Sequence, residues 1–311
     1  MKIIAPVLQF LIFPGFLFTA VAGLLASWID RKVTARVQYR IGPPWYQPLA
    51  DIVKLLGKET LLPAGGSHLL FLIAPLIGLA GVTLVSTLLW ISNLNPGAGF
   101  IGDIIVVAYL LTLPALSLIL GAFASGNPYA SVGASREMKM ILAYELPFIL
   151  ALAVPIIKAG GSLTIGAILS YQAGNGIIVG SLSGTLALLV SILCIQAKLG
   201  LVPFDISEAE TEIVGGTMIE YSGAPLAVFK LTKAMLLFTA PIFLVILFMG
   251  GISVSGFSLL WGILKYVALL VIIVVIRNTN PRLRIDQALR FFWGPVTILA
   301  VISVILALSG R

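Results

Sequence analysis

The strongest constraint on this chain is its succession of long apolar segments. A helix needs roughly 20 apolar residues to cross a membrane, and eight segments reach about that length. They cover residues 4–29, 69–92, 102–124, 140–158, 177–198, 225–249, 257–276 and 291–309. Only 10% of the residues are charged, against about 25% in soluble domains. The sequence therefore predicts an all-α integral membrane protein with eight transmembrane helices, folded as a single membrane domain over residues 1–311.

The basic residues predict how the chain is oriented. Of the 19 Lys and Arg residues, all except Lys2, Lys158, Lys265 and Arg311 lie in or beside the loops after spans one, three, five and seven. Cytoplasmic loops carry an excess of Lys and Arg, so we expect these loops in the cytoplasm and both termini outside a cell membrane. The net charge of +7 is then an insertion signal and requires no nucleic-acid partner.

The first of these loops contains an amphipathic pattern at residues 48–59. Its apolar residues Leu49, Ile52, Val53, Leu55 and Leu56 alternate with the charged residues Asp51, Lys54 and Lys58. This pattern predicts a short helix that lies in the membrane interface. The alternative is a plain connector.

Carboxylates are concentrated in residues 203–223, here called the acidic segment. It holds five of the 12 acidic residues: Asp205, Glu208, Glu210, Glu212 and Glu220. Asp205 is a candidate N-cap, and Asp205, Glu208 and Glu212 would share one helix face. Stacked and buried like charges would bind and release protons near neutral pH. The segment is therefore a candidate ion relay, and the alternative is a solvated acidic loop.

Glu145 is the sharpest single candidate, because it lies inside span four. An ionisable side chain within a membrane is costly and indicates a polar pathway or a buried partner. Arg136, Glu137 and Lys139 precede it at the cytoplasmic end of the span. Glu145 is either a protonatable relay between the acidic segment and the bundle interior, or one half of a structural ion pair with a neighbouring helix.

Other polar residues near the spans are weaker candidates. Lys265 in span seven would pair with a carboxylate as a secondary relay, or extend toward an interface. Asp103 is expected to cap the helix of span three. Asp286 lies among three arginines that would neutralise it, and this suits a docking surface. His68 is interpreted as a polar loop residue.

The chain has little that could hold a cofactor. Cys194 is the single cysteine and His68 the single histidine, so a disulfide framework, a cysteine-held iron–sulfur cluster and a histidine-based metal site are not expected. No Walker loop, dinucleotide-binding glycine motif or nucleophile elbow is present. We therefore expect no redox centre in this chain, and a structural, electrostatic or ion-conducting role.

The four charged loops together resemble the complex I subunit 1 family, whose members anchor the peripheral arm of respiratory complex I and related complexes. The matching stretches are residues 30–43 (DRKVTARVQYRIGP), 47–59 (QPLADIVKLLGKE), 127–145 (NPYASVGASREMKMILAYE), 203–223 (PFDISEAETEIVGGTMIEYSG) and 285–289 (IDQAL). They cover all four inner loops in order, so the resemblance is far more specific than any single short motif.

The resemblance implies an eight-span subunit between iron–sulfur-bearing peripheral proteins and antiporter-like membrane proteins. In the family, the acidic loop and the span-four glutamate are thought to couple redox chemistry to ion movement. The corresponding residues here are Glu145, Asp205, Glu208, Glu210, Glu212 and Glu220. Arg31, Arg36, Arg40, Arg136 and Asp286 would dock the peripheral partner, the arginines through charge-assisted hydrogen bonds.

Two departures favour particular relatives. Quinone-reducing members usually have a longer insertion before Gln47 and an Arg shortly before Pro203, where this chain has Gly200, Leu201 and Val202. Both features look more like membrane-bound [NiFe] hydrogenases, formate hydrogenlyase and their sulfur-reducing relatives. The first hypothesis is thus an ion-coupling anchor whose partners are hydrogenase-like large and small subunits, an iron–sulfur subunit and antiporter-like subunits. Iron–sulfur clusters and a NiFe centre would lie in those partners.

Three alternatives remain open. The chain is the equivalent subunit of a sulfur reductase, the quinone-site subunit of a complex I-type dehydrogenase, or, more remotely, a free-standing secondary transporter in which Glu145 and Lys265 line a substrate path. The sequence leaves both the terminal electron acceptor and the choice between H⁺ and Na⁺ undecided.

Overall fold

The chain folds almost entirely into helices, as a computed structural model of residues 4–254 and 256–310 describes, without the side chains of residues 4, 5, 210 and 211. The helices are α1 (Ile4–Leu11), α2 (Phe16–Val37), α3 (Gln47–Leu56), α4 (His68–Leu94), α5 (Asp103–Leu110), α6 (Leu113–Ala124), α7 (Pro128–Lys158), α8 (Ile165–Asn175), α9 (Leu182–Lys198), α10 (Glu210–Ile213), α11 (Gly223–Met249), α12 (Phe257–Thr279), α13 (Ile285–Phe291) and α14 (Thr297–Leu308). Within these described ranges there is no strand, and the predicted all-α fold is confirmed.

Seven helical stretches of the described chain are long and apolar enough to cross a membrane. They are Pro6–Val37, His68–Leu94, Asp103–Ala124, Pro128–Lys158, Gly223–Met249, Phe257–Thr279 and Ile285–Leu308. The predicted count of eight is not met, because α9 has only 17 residues, about 26 Å of helix. Ile178–Gly180 forms a separate 3₁₀ turn, and the Ser181 hydroxyl accepts a hydrogen bond from Gly184 N–H to begin α9.

Two predicted span boundaries are wrong by several residues. The apolar run of span one ends at residue 29, but α2 continues to Val37 and carries Arg31 and Arg36 beyond that run. The apolar run of span four begins at residue 140, but α7 begins at Pro128, where the Asn127 side chain accepts a hydrogen bond from Tyr129 N–H. A hydropathy pattern detects the apolar part of a helix and misses a charged extension of the same helix.

The bundle is built around α11. Most of its side chains are buried, and it packs against α2 and α4, while α7 packs against α6, α9 and α14. Peripheral helices expose large apolar side chains such as Leu260 on α12 and Ile298 on α14, as helices that face lipid do. The predicted amphipathic helix is present as α3, and its apolar residues Leu49, Val53 and Leu56 are exposed.

Candidate functional site

Ion pairs tie the loops together on one end of the bundle. Arg277 at the end of α12 donates to Asp30 of α2 at 2.7 Å, and Arg31 donates to Asp51 of α3 at 2.6 Å. Partial burial alone would raise the pKa of Asp51, but hydrogen bonds from Arg31 and Gln47 outweigh it and lower that pKa. Segments distant in sequence thus form one surface, here called the charged face (residues 30–59, 127–137, 198–233 and 277–290).

The acidic segment is a series of short turns and not one helix. A 3₁₀ helix, Ile206–Glu208, ends where Ala209 becomes extended. The four-residue helix α10 follows, and Val214 then takes a positive φ of 53°. The backbone therefore changes direction twice between the carboxylates.

The prediction of one acidic helix face is wrong. Asp205 precedes the 3₁₀ helix without making a side-chain cap bond, and the turns prevent Asp205, Glu208 and Glu212 from stacking. The mutual repulsion on which the expected titration near neutral pH depended is therefore absent from this arrangement.

Each described carboxylate of the acidic segment has its own partner. The contacts are Asp205 with Arg282 (2.9 and 2.5 Å), Glu208 with Lys233 (2.5 Å), Glu212 with Arg136 (2.5 Å) and Glu220 with Asn127 Nδ2 (2.5 Å). The side chain of Glu210 lies outside the described residues. The partners come from α7, α11 and the connection before α13, so the segment is fastened to three parts of the bundle.

The acidic segment also packs closely on α7 at Gly133. A Cβ atom added to Gly133 would lie 2.8 Å from Ser207 O and 2.8 Å from Thr217 N. Both are backbone atoms, so the clash cannot be relieved by a side-chain rotation. Gly133 is thus required for the segment to lie against the helix.

We expect Gly133→Ala to weaken this packing by about 1–3 kcal/mol, the usual cost of overfilling a packed site. The change would appear as a lower thermal midpoint of the purified complex and as faster proteolysis within residues 203–223. Gly174→Ala on α8 is the matched control, because nothing lies within 4 Å of its added Cβ. Equal behaviour of the two variants would contradict the close packing.

A cavity of about 430 Å³ lies between α2, α3, α11 and residues 199–202 on the charged face. The charged residues that line it are Asp30, Arg31, Asp51, Asp205, Glu208, Lys230, Lys233, Arg277 and Arg282. Each of its carboxylates is paired with a basic residue of the same lining. The Lys230 ammonium forms no ion pair with a described residue, and it gives the lining an excess positive charge.

Glu145 forms a buried ion pair next to this cavity. Its Oε2 atom accepts a hydrogen bond from Lys198 Nζ at 2.9 Å, and Lys198 is the last residue of α9, directly before the cavity wall at residues 199–202. The structure therefore contains the ion pair that was the alternative to a relay. The two roles are compatible, because Glu145 Oε1 is buried without a hydrogen-bond partner in the described chain.

Two residues of this region are absent from the predicted site. Lys198 belongs by sequence to a basic loop, but its side chain is fully buried. Glu137 belongs by sequence to a span end, but it is buried on α7 beside the Ser207 hydroxyl of the acidic segment. The apolar run before Lys198 is a signal of its burial, whereas no local pattern indicates its partner.

The predicted docking residues divide into two groups. Arg31 and Arg136 are engaged in ion pairs within the chain. Arg36 and Arg40 are exposed and have no ion pair with a described residue. Asp286 is exposed and lies 3.3 Å from Arg284 alone, so the expected neutralisation by three arginines is wrong.

Lys265 and Asp103 lie toward the opposite end of the bundle. The Lys265 ammonium donates to Met249 O, the last carbonyl of α11, at 2.6 Å, and it pairs with no described carboxylate. Asp103 is the first residue of α5, and its Oδ1 accepts from Ile165 N–H of α8 at 2.8 Å. The N-cap prediction for Asp103 is wrong, because Gly102 occupies the cap position.

Metal ligands are not grouped in the part of the chain that the structure describes. No set of three or more His, Cys, Asp or Glu side chains there could hold a metal ion. Cys194 is buried and unpaired. The described residues of the charged face thus offer ion pairs and a polar cavity, and no donor set that fits an iron–sulfur cluster or a NiFe centre.

Comparisons with known proteins agree with these features. Residues 8–308 match the NADH dehydrogenase family. A membrane subunit of the NADH-quinone oxidoreductase of Thermomicrobium roseum is 33% identical over 93% of this chain and 92% of its own length. Subunit 8 of the NADH-quinone oxidoreductase of Thermus thermophilus is 33% identical over 91% of this chain and 82% of its own length.

A solved structure is similar over nearly the whole fold. A chain of the membrane-bound sulfane sulfur reductase, an archaeal respiratory membrane complex, superposes with a TM-score of 0.85 at 33% identity, over 94% of this chain and 96% of that one. The chain therefore belongs to the NADH dehydrogenase family of NuoH-like membrane subunits, and it is a multi-pass membrane subunit of a complex I-like, multi-subunit oxidoreductase.

Proposed function

We propose that this subunit anchors a peripheral electron-transfer arm and couples its redox chemistry to the movement of H⁺ or Na⁺. The observation that carries the proposal is the continuity between the Glu145–Lys198 pair and the charged cavity. One turn of chain, residues 199–202, leads from the buried Lys198 along the cavity wall to the acidic segment. A change of charge in the arm would act first on the cavity and then, through that wall, on the buried pair.

Within this proposal the carboxylates have different tasks. Glu145 is the inner relay, because it is the carboxylate that lies among the membrane helices. Asp205, Glu208, Glu210, Glu212 and Glu220 form the mobile part of the device, since each described ion pair can exchange partners when charge arrives. Lys265 has no part in this path, because its ammonium binds a helix end away from the charged face.

The arm itself is proposed to be hydrogenase-like. It would contain a large and a small subunit, an iron–sulfur subunit and a NiFe centre, with antiporter-like subunits beside this chain in the membrane. The short loop before Gln47 and the sequence Gly200–Val202 support this class over a quinone reductase. The similarity to a chain of a sulfane sulfur reductase favours sulfur as the alternative acceptor.

The docking surface for the arm is proposed to be centred on Arg36 and Arg40. Their guanidinium groups are exposed, and Tyr39 between them is fully exposed. Unpaired arginines and aromatic side chains are the residue types that dominate binding at protein interfaces. By the distribution of basic residues, the charged face is assigned to the cytoplasm and both termini to the outside of the cell membrane.

The experiment is a gentle purification of the complex through this subunit, followed by mass spectrometry of its companions, a nickel assay and a hydrogen-evolution assay. Nickel together with hydrogen evolution is expected. Iron–sulfur partners without nickel would replace the hydrogenase arm by a sulfur- or quinone-reducing one. A chain that purifies alone and transports ions in liposomes would contradict the anchor function and favour a secondary transporter.

A further inference from the structure

Lys198 occupies an unusual position for a lysine. Its side chain is fully buried, although lysine is among the residues least often buried without a partner. The ammonium lies 4.9 Å from the ring centre of Tyr144 and 4.7 Å from that of Phe148. These two aromatic residues are one helical turn apart on α7, and Glu145 between them supplies the one carboxylate that Lys198 contacts in the described chain.

We propose that Lys198 is the positioning residue that keeps Glu145 charged and controls when it releases or accepts a proton. This inference rests on the proposed coupling function and deepens it. Two aromatic faces attract a cation but supply no hydrogen-bond acceptor of the strength of a carboxylate. The rings therefore hold the ammonium in place, and Glu145 provides its counter-charge.

The pair has one free bonding site. Glu145 Oε2 accepts from Lys198, whereas Oε1 is buried and has no described partner. A proton bound at Oε1 would neutralise Glu145 and leave the Lys198 charge with only the aromatic rings. Leaving one charge of a buried pair uncompensated is strongly unfavourable, so proton uptake requires another negative charge near Lys198.

The cavity is the place from which that charge would act. Residues 199–202 follow Lys198 directly and form part of the cavity wall. Negative charge arriving in the cavity would compensate Lys198, and Glu145 would then accept a proton from water. Loss of that charge would restore the ion pair and release the proton. In this scheme Lys198 transmits the charge of the cavity to Glu145.

The test uses four variants of the complete complex: Lys198→Met, Lys198→Arg, Glu145→Gln and the double variant Glu145→Gln with Lys198→Met. Ion uptake per electron is measured in proteoliposomes, together with the electron-transfer rate of the arm. Lys198→Met is expected to lower ion uptake per electron at least about tenfold, given the cost of splitting a buried pair. Lys198→Arg retains the charge and is expected to retain most of the uptake.

The double variant separates a positioning role from a structural one. It removes both charges, so we expect it to restore the assembly yield while ion uptake stays low. Restored uptake in the double variant, or normal uptake in Lys198→Met, would overturn the inference. If Glu145→Gln lowers uptake but Lys198→Met does not, the proposed function stands and only the role of Lys198 fails. If neither lowers it, both fail.

Discussion

Replacement of Glu145 by Gln is expected to abolish redox-driven ion movement while the complex still assembles. Gln has nearly the same shape, but it cannot carry a proton as a carboxylate does. A positioned proton-transfer group typically contributes about 100-fold or more to the rate of its step, so a loss of that order is predicted. The measurement is ion uptake by inverted membrane vesicles, quantified beside the amount of assembled complex.

The ion pair makes the assembly control necessary. The variant leaves the buried Lys198 without its counter-charge, which destabilises folded proteins by roughly 3–5 kcal/mol. Glu59→Gln is the matched control, because Glu59 is an exposed carboxylate on the same face with no described side-chain partner. Normal uptake in Glu145→Gln would defeat the relay, and equal losses in both variants would indicate a nonspecific effect.

Replacement of Asp205 by Ala is expected to release the acidic segment from the connection before α13. The Asp205 carboxylate receives two hydrogen bonds from the Arg282 guanidinium, and its side chain is 15% exposed against 29% for Arg282. A paired and partly buried contact of this kind contributes about 1.5–3 kcal/mol. Leu283 N–H also donates to Pro203 O at 3.0 Å, so the two stretches would separate together.

The readouts for Asp205→Ala are the thermal midpoint of the complex, protease cleavage within residues 203–223 and ion uptake per electron. All three are expected to change, and Arg282→Ala is expected to produce similar changes. Because the two residues act as one contact, the double variant should lose much less than the sum of the single losses. Fully additive losses would show that the pair does not fasten the segment.

Much of the fold follows from the sequence because membrane solvation leaves few alternatives. Backbone polar groups in lipid must be satisfied within the protein, so a long apolar run forms a helix. The amphipathic helix α3 was predictable for the same reason, since its apolar residues repeat on one side. The boundaries at Val37 and Pro128 were less accessible, because helices extend past the membrane where hydropathy carries no signal.

The candidate site was predictable in its residues but not in its pairings. The acidic segment and Glu145 are visible as carboxylates in an apolar chain. Their partners Arg282 and Lys198 come from elements that are 77 and 53 residues away, and tertiary packing alone brings them together. The turns at Ala209 and Val214 also depend on that packing, so a helical face deduced from spacing could not anticipate them.

The measurement that tests coupling most directly follows ions and electrons in the same proteoliposomes that contain the wild-type complex. The account predicts that ion uptake starts when a reductant for the arm, such as reduced ferredoxin, is added and stops when it is exhausted. Electron transfer without ion uptake, or uptake by this chain in the absence of the arm, would contradict it.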